Sequence, residues 1–317
     1  MKKLISMVIT FAVLCSMAGC MASDAGSDKL SVVASIFPCY DWASNVIEGS
    51  DNVDLELLID SGVDFHSFQP TAEDILKIKT CDIFIYVGGE SDSWVDEVLT
   101  SDCNPDMKII SLMDELSDEI REEETVLGMQ AEDGEPDGPE YDEHVWLSLR
   151  NAEVITDRIC EVMSQADPGN SALYEANTEK YTEELKALDS RYIEELKDLR
   201  LDTIVVADRF PFRYLTDDYG LEYYAAFAGC SAEANATFDT VVFLSQKAAD
   251  IGTNVILTTE DSASSIAGTV IETGDLTGVE IMELDSMQSV TSEDISAGVS
   301  YIGIMESNLE VLVKALS

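Results

Sequence analysis

The stretch NSALYEANTEKYTEELKALDSRYIEELKDL, Asn170 to Leu199, decides how this chain is organised. Pro168-Gly169 precede it, and Asn170 or Ser171 can cap a helix there by accepting free backbone N–H groups. Tyr181, Leu185, Leu188, Tyr192, Leu196 and Leu199 recur every three or four residues, so one face is an apolar stripe. Glu and Lys cover the other face. A helix of some thirty residues runs about 45 Å, the span of a whole two-domain protein. It reads as a spine joining two lobes; an arm of a coiled-coil dimer is the alternative.

On both sides of this helix the chain alternates short β-branched runs with helical patterns. Before it, Leu30–Ile36, Val53–Ile59, Asp82–Val87 and Lys108–Ile110 read as strands, with helices over Tyr40–Ile47, Thr71–Lys79 and Trp94–Leu99. After it, strands are expected at Thr203–Ala207, Glu222–Phe227, Val255–Thr259 and Val279–Leu284. Helices are expected at Phe210–Tyr219, Phe238–Ile251, Ala263–Glu272 and Ser300–Leu316. Such alternation indicates parallel sheets with right-handed crossovers. The fold class is therefore α/β, two parallel-sheet lobes on one rigid linking helix: residues 30–168, 169–200 and 201–317. Segment 114–143 interrupts the first lobe with fourteen acidic residues, one basic residue, and Gly and Pro clustered at 134–139. It reads as a mobile, solvated loop, or as a weak gatherer of cations.

The N-terminus speaks to compartment. Lys2 and Lys3 form a basic start, Leu4–Met17 is nearly all apolar, and Ala18-Gly19-Cys20 puts small residues before a cysteine. This is the pattern of a secretory signal peptide over residues 1–19, too short for a comfortable membrane span. The cysteine resembles the lipidated residue of a bacterial lipobox; cleavage elsewhere with Cys20 incidental is the alternative. Residues 20–29, polar and rich in Ser, Asp and Gly, read as a flexible tether. The chain is thus expected outside the cytoplasm, held to the cell membrane by N-terminal lipid.

With 63 acidic against 18 basic residues, nucleic acid and anionic membrane surfaces would repel the chain. Cys39, Cys81, Cys103, Cys160 and Cys230 remain beyond the tether, an odd number with no CxxC spacing. Cys81 and Cys160 sit among apolar neighbours and read as buried small hydrophobes.

Only two histidines occur, His66 and His144, and both fall in expected loops, His66 between a strand and a helix and His144 where the acidic segment meets the next helix. In open α/β sheets ligands bind beyond the carboxyl ends of strands, where such loops gather. Neutral imidazole is the usual nitrogen ligand of zinc and its neighbours, although a lone histidine is more often structural. Asp208, Glu260 and Asp285 likewise follow strands. Each also has a plain use: Asp208 can cap a helix or pair with Arg209, and Asp285 can begin an Asx turn.

At this point the sequence resembles the metal-specific solute-binding proteins of ABC importers for zinc and manganese, from Val32 to Leu316. Ala34-Ser35-Ile36-Phe37-Pro38 with Gly49, Gly62-Val63-Asp64-Phe65-His66 with Gln69-Pro70-Thr71, Asp82 to Gly89 with Trp94, Asp142-Glu143-His144-Val145-Trp146-Leu147-Ser148, and Pro168-Gly169-Asn170 before Tyr174 and Asn177 carry the likeness in order. The resemblance implies a metal site in the cleft between the lobes, with His66 and His144 as the first two ligands. It puts Asp208 where the family usually has His or Glu, and Asp285 at the carboxylate position. Glu260 would be a supporting or substitute ligand. It also implies a monomer that passes a divalent cargo, Zn2+ or alternatively Mn2+, to an ABC permease, with no enzymatic activity. An N2O2 set without thiolate argues against copper(I), and the Irving–Williams order favours zinc. The family's frequent histidine-rich loop is replaced here by the acidic segment. A surface adhesin with a vestigial site, or a secreted zinc hydrolase, would be the rival readings. Arg209 and Arg213, so near an expected cation site, are unexplained at this level.

Overall fold

The computed structural model describes residues 29–100, 102–130, 140–231, 235–260, 262 and 265–317; the signal and lipidation features fall outside them. β1 (Leu30–Ala34), β2 (Val53–Leu57), β3 (Ile83–Tyr86) and β4 (Lys108–Ser111) form one sheet in the order β2-β1-β3-β4. β5 (Thr203–Phe210), β6 (Glu222–Ala228), β7 (Val255–Thr258) and β8 (Glu280–Glu283) repeat that order, β6-β5-β7-β8, and all the pairings are parallel. Runs such as Ile83-Phe84-Ile85 and Val255-Ile256-Leu257 are apolar at every position because helices cover both sheet faces. In each sheet the strand order reverses beside the first strand, which opens a crevice at the carboxyl ends.

The first lobe carries α1 (Phe37–Val46), α2 (Ala72–Thr80), α3 (Trp94–Val98) and α4 (Leu112–Glu115). Pro38 in the first turn starts α1, and a reciprocal Thr71–Asp74 capping box starts α2. α5 (Leu149–Ala166) and the spine α6 (Ser171–Leu196) follow; then come α7 (Arg213–Tyr219), α8 (Phe238–Ile251), α9 (Ser265–Thr273), α10 (Ser292–Ser296) and α11 (Tyr301–Leu316).

The spine differs from expectation at both ends. Asn170 sits at its N-cap, yet its side chain donates to Asp167 (2.7 Å) rather than capping. At the other end Lys197 turns extended and Asp198 takes a positive φ of 61°, so the helix stops at Leu196, before Leu199. Its buried face, Tyr174, Tyr181, Leu185, Leu188 and Tyr192, packs against α1, α5 and α11. One apolar cluster thereby runs from Val32 and Trp42 in the first lobe, through the spine, to Leu257 and Leu309 in the second. Smaller clusters lie under the outer faces of the two sheets.

β5 is also longer than expected. Phe210 ends the strand instead of opening a helix, and a register shift between Val206 and Arg209 places Asp208 at an irregular point within it. The described parts of the acidic segment are tied down. Arg121 N–H donates to Tyr214 Oη (3.1 Å), Glu123 N–H to the Glu140 carbonyl (2.9 Å), and Gln130 N–H to the Ala226 carbonyl (2.9 Å). Residues 121–130 thus run along the second lobe, anchored to it at Arg121 and Gln130, with much of their side-chain surface still exposed. No described helix is long and apolar enough to cross a membrane.

Candidate metal site

His66 is held by the turn that presents it. Asp64 Oδ1 accepts the His66 backbone N–H (2.9 Å) at the head of a single 3₁₀ turn, Phe65–Ser67. Phe65 is buried edge-on against Trp146. The ring's Nδ1 meets Ser91 Oγ at 2.7 Å, which leaves Nε2 pointing at His144.

His144 is fully buried. Asp142 Oδ1 accepts both its backbone N–H and its Nδ1–H, each at 2.9 Å, so the proton sits on Nδ1 and Nε2 keeps a bare lone pair. The second lobe fixes this loop. Tyr214 Oη donates to the Asp142 carbonyl (2.9 Å), Trp146 Nε1 donates to the Ser286 carbonyl (2.9 Å), and Tyr301 Oη donates to the Trp146 carbonyl (2.6 Å).

The two Nε2 atoms are 3.1 Å apart. Two nitrogens bound to one tetrahedral zinc at 2.0–2.1 Å lie about 3.3 Å apart, so the pair already has the edge of such a site. Burial, then the neighbouring His144, push the His66 pKa down to about 3. That keeps His66 neutral and ready to ligate across ordinary pH. Burial also opposes charge on His144, but Asp142, with Glu143 and Glu123, holds its pKa above the ordinary value.

The third member is one the sequence did not single out. Cys230 Sγ lies with both imidazoles in the group, among the described residues, whose ligand atoms all fall within 4.8 Å of one another. Gly229 allows this approach. A Cβ there would stand 2.9 Å from the Phe210 carbonyl and 3.0 Å from His144 Cε1, so only glycine lets the turn after β6 close over the imidazole. The Cys230 N–H donates to Glu123 Oε1 (3.1 Å), and burial, then the carboxylate of Glu123, raise the thiol pKa far above its usual range. The available signal was positional. Gly229-Cys230 follows the expected strand Glu222–Phe227 as Asp208 and Asp285 follow theirs, but no CxxC spacing drew notice to it.

The expected carboxylates are placed differently. Asp208 lines the cleft with His66, and its Oδ1 accepts the Arg209 N–H (2.8 Å) while its Oδ2 is buried without a hydrogen bond. Glu260 lines the same cleft with both oxygens engaged, by Ser286 N–H (2.7 Å), Ser286 Oγ (2.6 Å) and Gln288 N–H (3.0 Å). It pins the loop after β8. Asp285 faces a separate cavity beside Asn308, and its Oδ1 accepts the Met287 N–H (2.7 Å), an Asx-type turn. The set His66, His144, Asp208 and Asp285 therefore does not assemble; His66, His144 and Cys230 do, and a thiol stands where none was expected.

The two arginines now have accounts. Arg209 crosses between lobes to Asp64 Oδ2 (2.6 Å), and that pairing holds the Asp64 carboxyl low against the opposing effect of burial. Arg213 pairs with Glu124 (2.9 Å) and Asp217 (3.1 Å), away from the histidines. His66 and Cys230 sit at the junction of two cavities. One, about 520 Å³, contains Asp208 and Glu260; the other, about 800 Å³, contains Glu90, Glu97, Glu123, Glu140 and Glu143. A cation approaching through the second meets carboxylates before imidazole.

The chain is similar in sequence to the zinc-binding lipoprotein AdcA of Streptococcus pneumoniae, 29% identical over 318 residues. That match covers 98% of this chain and 60% of AdcA, so the chain spans well under the full length of this relative. The high-affinity zinc uptake system protein ZnuA of Bacillus subtilis is 27% identical, covering 93% of this chain and 90% of that one. Among solved structures, the Zn(II)-bound ZnuA-like domain of pneumococcal AdcA superposes with a TM-score of 0.72 at 28% identity, covering 91% of this chain and 99% of that domain. The metal-dependent lipoprotein YcdH of B. subtilis gives 0.73 at 25% identity, with 91% and 99% covered. The family profile described as "Zinc-uptake complex component A periplasmic" matches residues 32–315, nearly the whole described chain, and the protein belongs to this ZnuA family.

Proposed function

We propose that the protein captures zinc outside the cytoplasm with His66 and His144 and delivers it to an ABC-type importer. The observation that carries this reading is the pair of Nε2 atoms 3.1 Å apart, each ring held at its far nitrogen, by Ser91 and by Asp142. A buried imidazole pair oriented in this way serves a metal better than it serves a core. The zinc-binding names of the relatives support the cargo, and family membership supports an importer permease as the partner. Lipid anchoring at Cys20 and a monomeric state complete the proposal. An adhesin needs no such convergent donors, and hydrolysis needs an open position with a poised base, whereas Glu260 is fully engaged with the loop it holds.

Calorimetric titration of the metal-stripped protein with zinc, then manganese, tests the reading. Tight one-to-one zinc binding that collapses in His66→Ala is expected. Weak binding at many sites, indifferent to that substitution, would mean the acidic surface only condenses cations, and the capture reading would be lost.

A further inference from the structure

We infer that Cys230 is the third zinc ligand and that it makes this a thiolate-bearing site, selective for zinc over manganese. The inference rests on the capture reading above and assigns it a donor from the second lobe. Three observations meet on it. The sulfur already lies within 4.8 Å of both imidazole nitrogens, where a tetrahedral zinc with bonds of about 2.05 Å to nitrogen and 2.3 Å to sulfur needs about 3.6 Å. A shift of no more than about an ångström at the end of β6 closes the set.

The second observation is Gly229. A side chain at that position would strike the Phe210 carbonyl and the His144 ring, so the turn is built to bring Cys230 onto the histidine. Third, two of the three carboxylates expected to complete an oxygen-rich set are engaged elsewhere. Glu260 holds the loop after β8, and Asp285 faces another cavity. Arg209, beside Asp208, pairs with Asp64, so a fixed cation borders that side of the cleft.

The donor type decides the cargo. Thiolate and imidazole suit zinc, while manganese prefers carboxylate, carbonyl and water. A His2Cys set gives zinc three well-matched bonds and gives manganese none of the oxygen donors it prefers. His66 and Cys230 also line the acidic cavity, where Glu123 accepts the Cys230 backbone N–H. No other described cysteine joins the group. Cys39, Cys81 and Cys160 are buried in the core, and Cys103 hydrogen-bonds the Val98 carbonyl.

Cobalt(II) titration of the metal-stripped protein tests this, because a cobalt–thiolate bond gives an intense ultraviolet charge-transfer band that imidazole and carboxylate donors do not. The wild type should show this band together with visible bands of a low-coordinate ion, and Cys230→Ser should keep weakened visible bands and lose the charge-transfer band. In zinc and manganese competition, Cys230→Ser should weaken zinc by more than the 10–100-fold that an outer-shell partner is worth, and manganese by far less. If the wild type binds cobalt in a His66-dependent way without the charge-transfer band, the thiolate assignment is overturned and the capture reading stands. If His66→Ala leaves cobalt binding intact, both fall. The wild-type spectrum decides the matter even should the serine variant fold poorly.

Discussion

At the residue scale, the site is a set of rings whose far sides are spoken for. Asp142 does most for His144: one carboxylate oxygen takes both the backbone N–H and the Nδ1–H. It orients the ring, fixes the tautomer and raises the basicity of Nε2. Asp142→Asn keeps an acceptor at that position and removes the charge, so the predicted result is a loss of roughly 10–100-fold in zinc affinity with the melting temperature of the metal-free protein little changed. Competition against a chelator of known affinity measures the first, and calorimetry the second. An unchanged affinity would show that Asp142 only packs the loop. The histidines were legible in the sequence because they are the only two and both sit in loops. Cys230 was not, since its place depends on a glycine meeting a ring 85 residues away in the chain, and proximity of that kind has no local pattern.

At the scale of elements, the alternating pattern revealed every strand and most helices, because fully buried parallel strands read as short apolar runs between amphipathic segments; α5 and the short α4 and α10 were given no bounds. The misses have physical causes. β5 continues through Arg209 and Phe210 because its pairing with β6 resumes after the irregularity at Asp208, which a Phe-Pro-Phe segment does not disclose. The spine stops at Leu196 because Asp198 adopts a left-handed turn, which no glycine announces. Joining α1 to the spine is a buried carboxylate, Asp41, whose Oδ2 accepts from Tyr181 Oη (3.0 Å) and Asn45 Nδ2 (3.1 Å). Burial raises its pKa from 3.8 to about 6, against the opposing hydrogen bond from Tyr181. The folded state therefore binds the proton more tightly than the unfolded chain. Asp41's contribution is fully present below pH 3.8 and is lost as pH rises through about 6. The two-unit shift corresponds to something on the order of 3 kcal/mol. Asp41→Asn keeps an acceptor for Tyr181 and cannot ionise, so it should raise the melting temperature at pH 7.5 and leave it nearly unchanged at pH 3, below both pKa values. Thermal denaturation across that range checks the sign, and a variant less stable than wild type at pH 7.5 would contradict it.

For the whole molecule, the question is how far two lobes move when an ion binds between them. The structure favours very little movement. The apolar cluster is continuous from one sheet through the spine to the other, so wide opening would expose core side chains. Polar ties cross the same boundary: Arg209 to Asp64, Tyr214 to Asp142, Trp146 to Ser286, and Gln130 to Ala226. Two of the three proposed donors, His66 and His144, are already at metal-bound separation, so only the turn carrying Cys230 has distance to close. Binding should then appear as stabilisation without compaction. At a free zinc concentration a hundred times Kd, linkage adds about 2.7 kcal/mol to the folded state, a rise in melting temperature easily seen by calorimetry. Small-angle scattering of the same samples should give a radius of gyration unchanged within error. Marked compaction on zinc addition would mean that the lobes swing about the spine as hinged bodies, and that the metal-free protein is more open in solution than the continuous core allows. Absence of compaction, with the thermal shift present, would leave the ordering of the Gly229-Cys230 turn over the histidines as the change an importer could recognise.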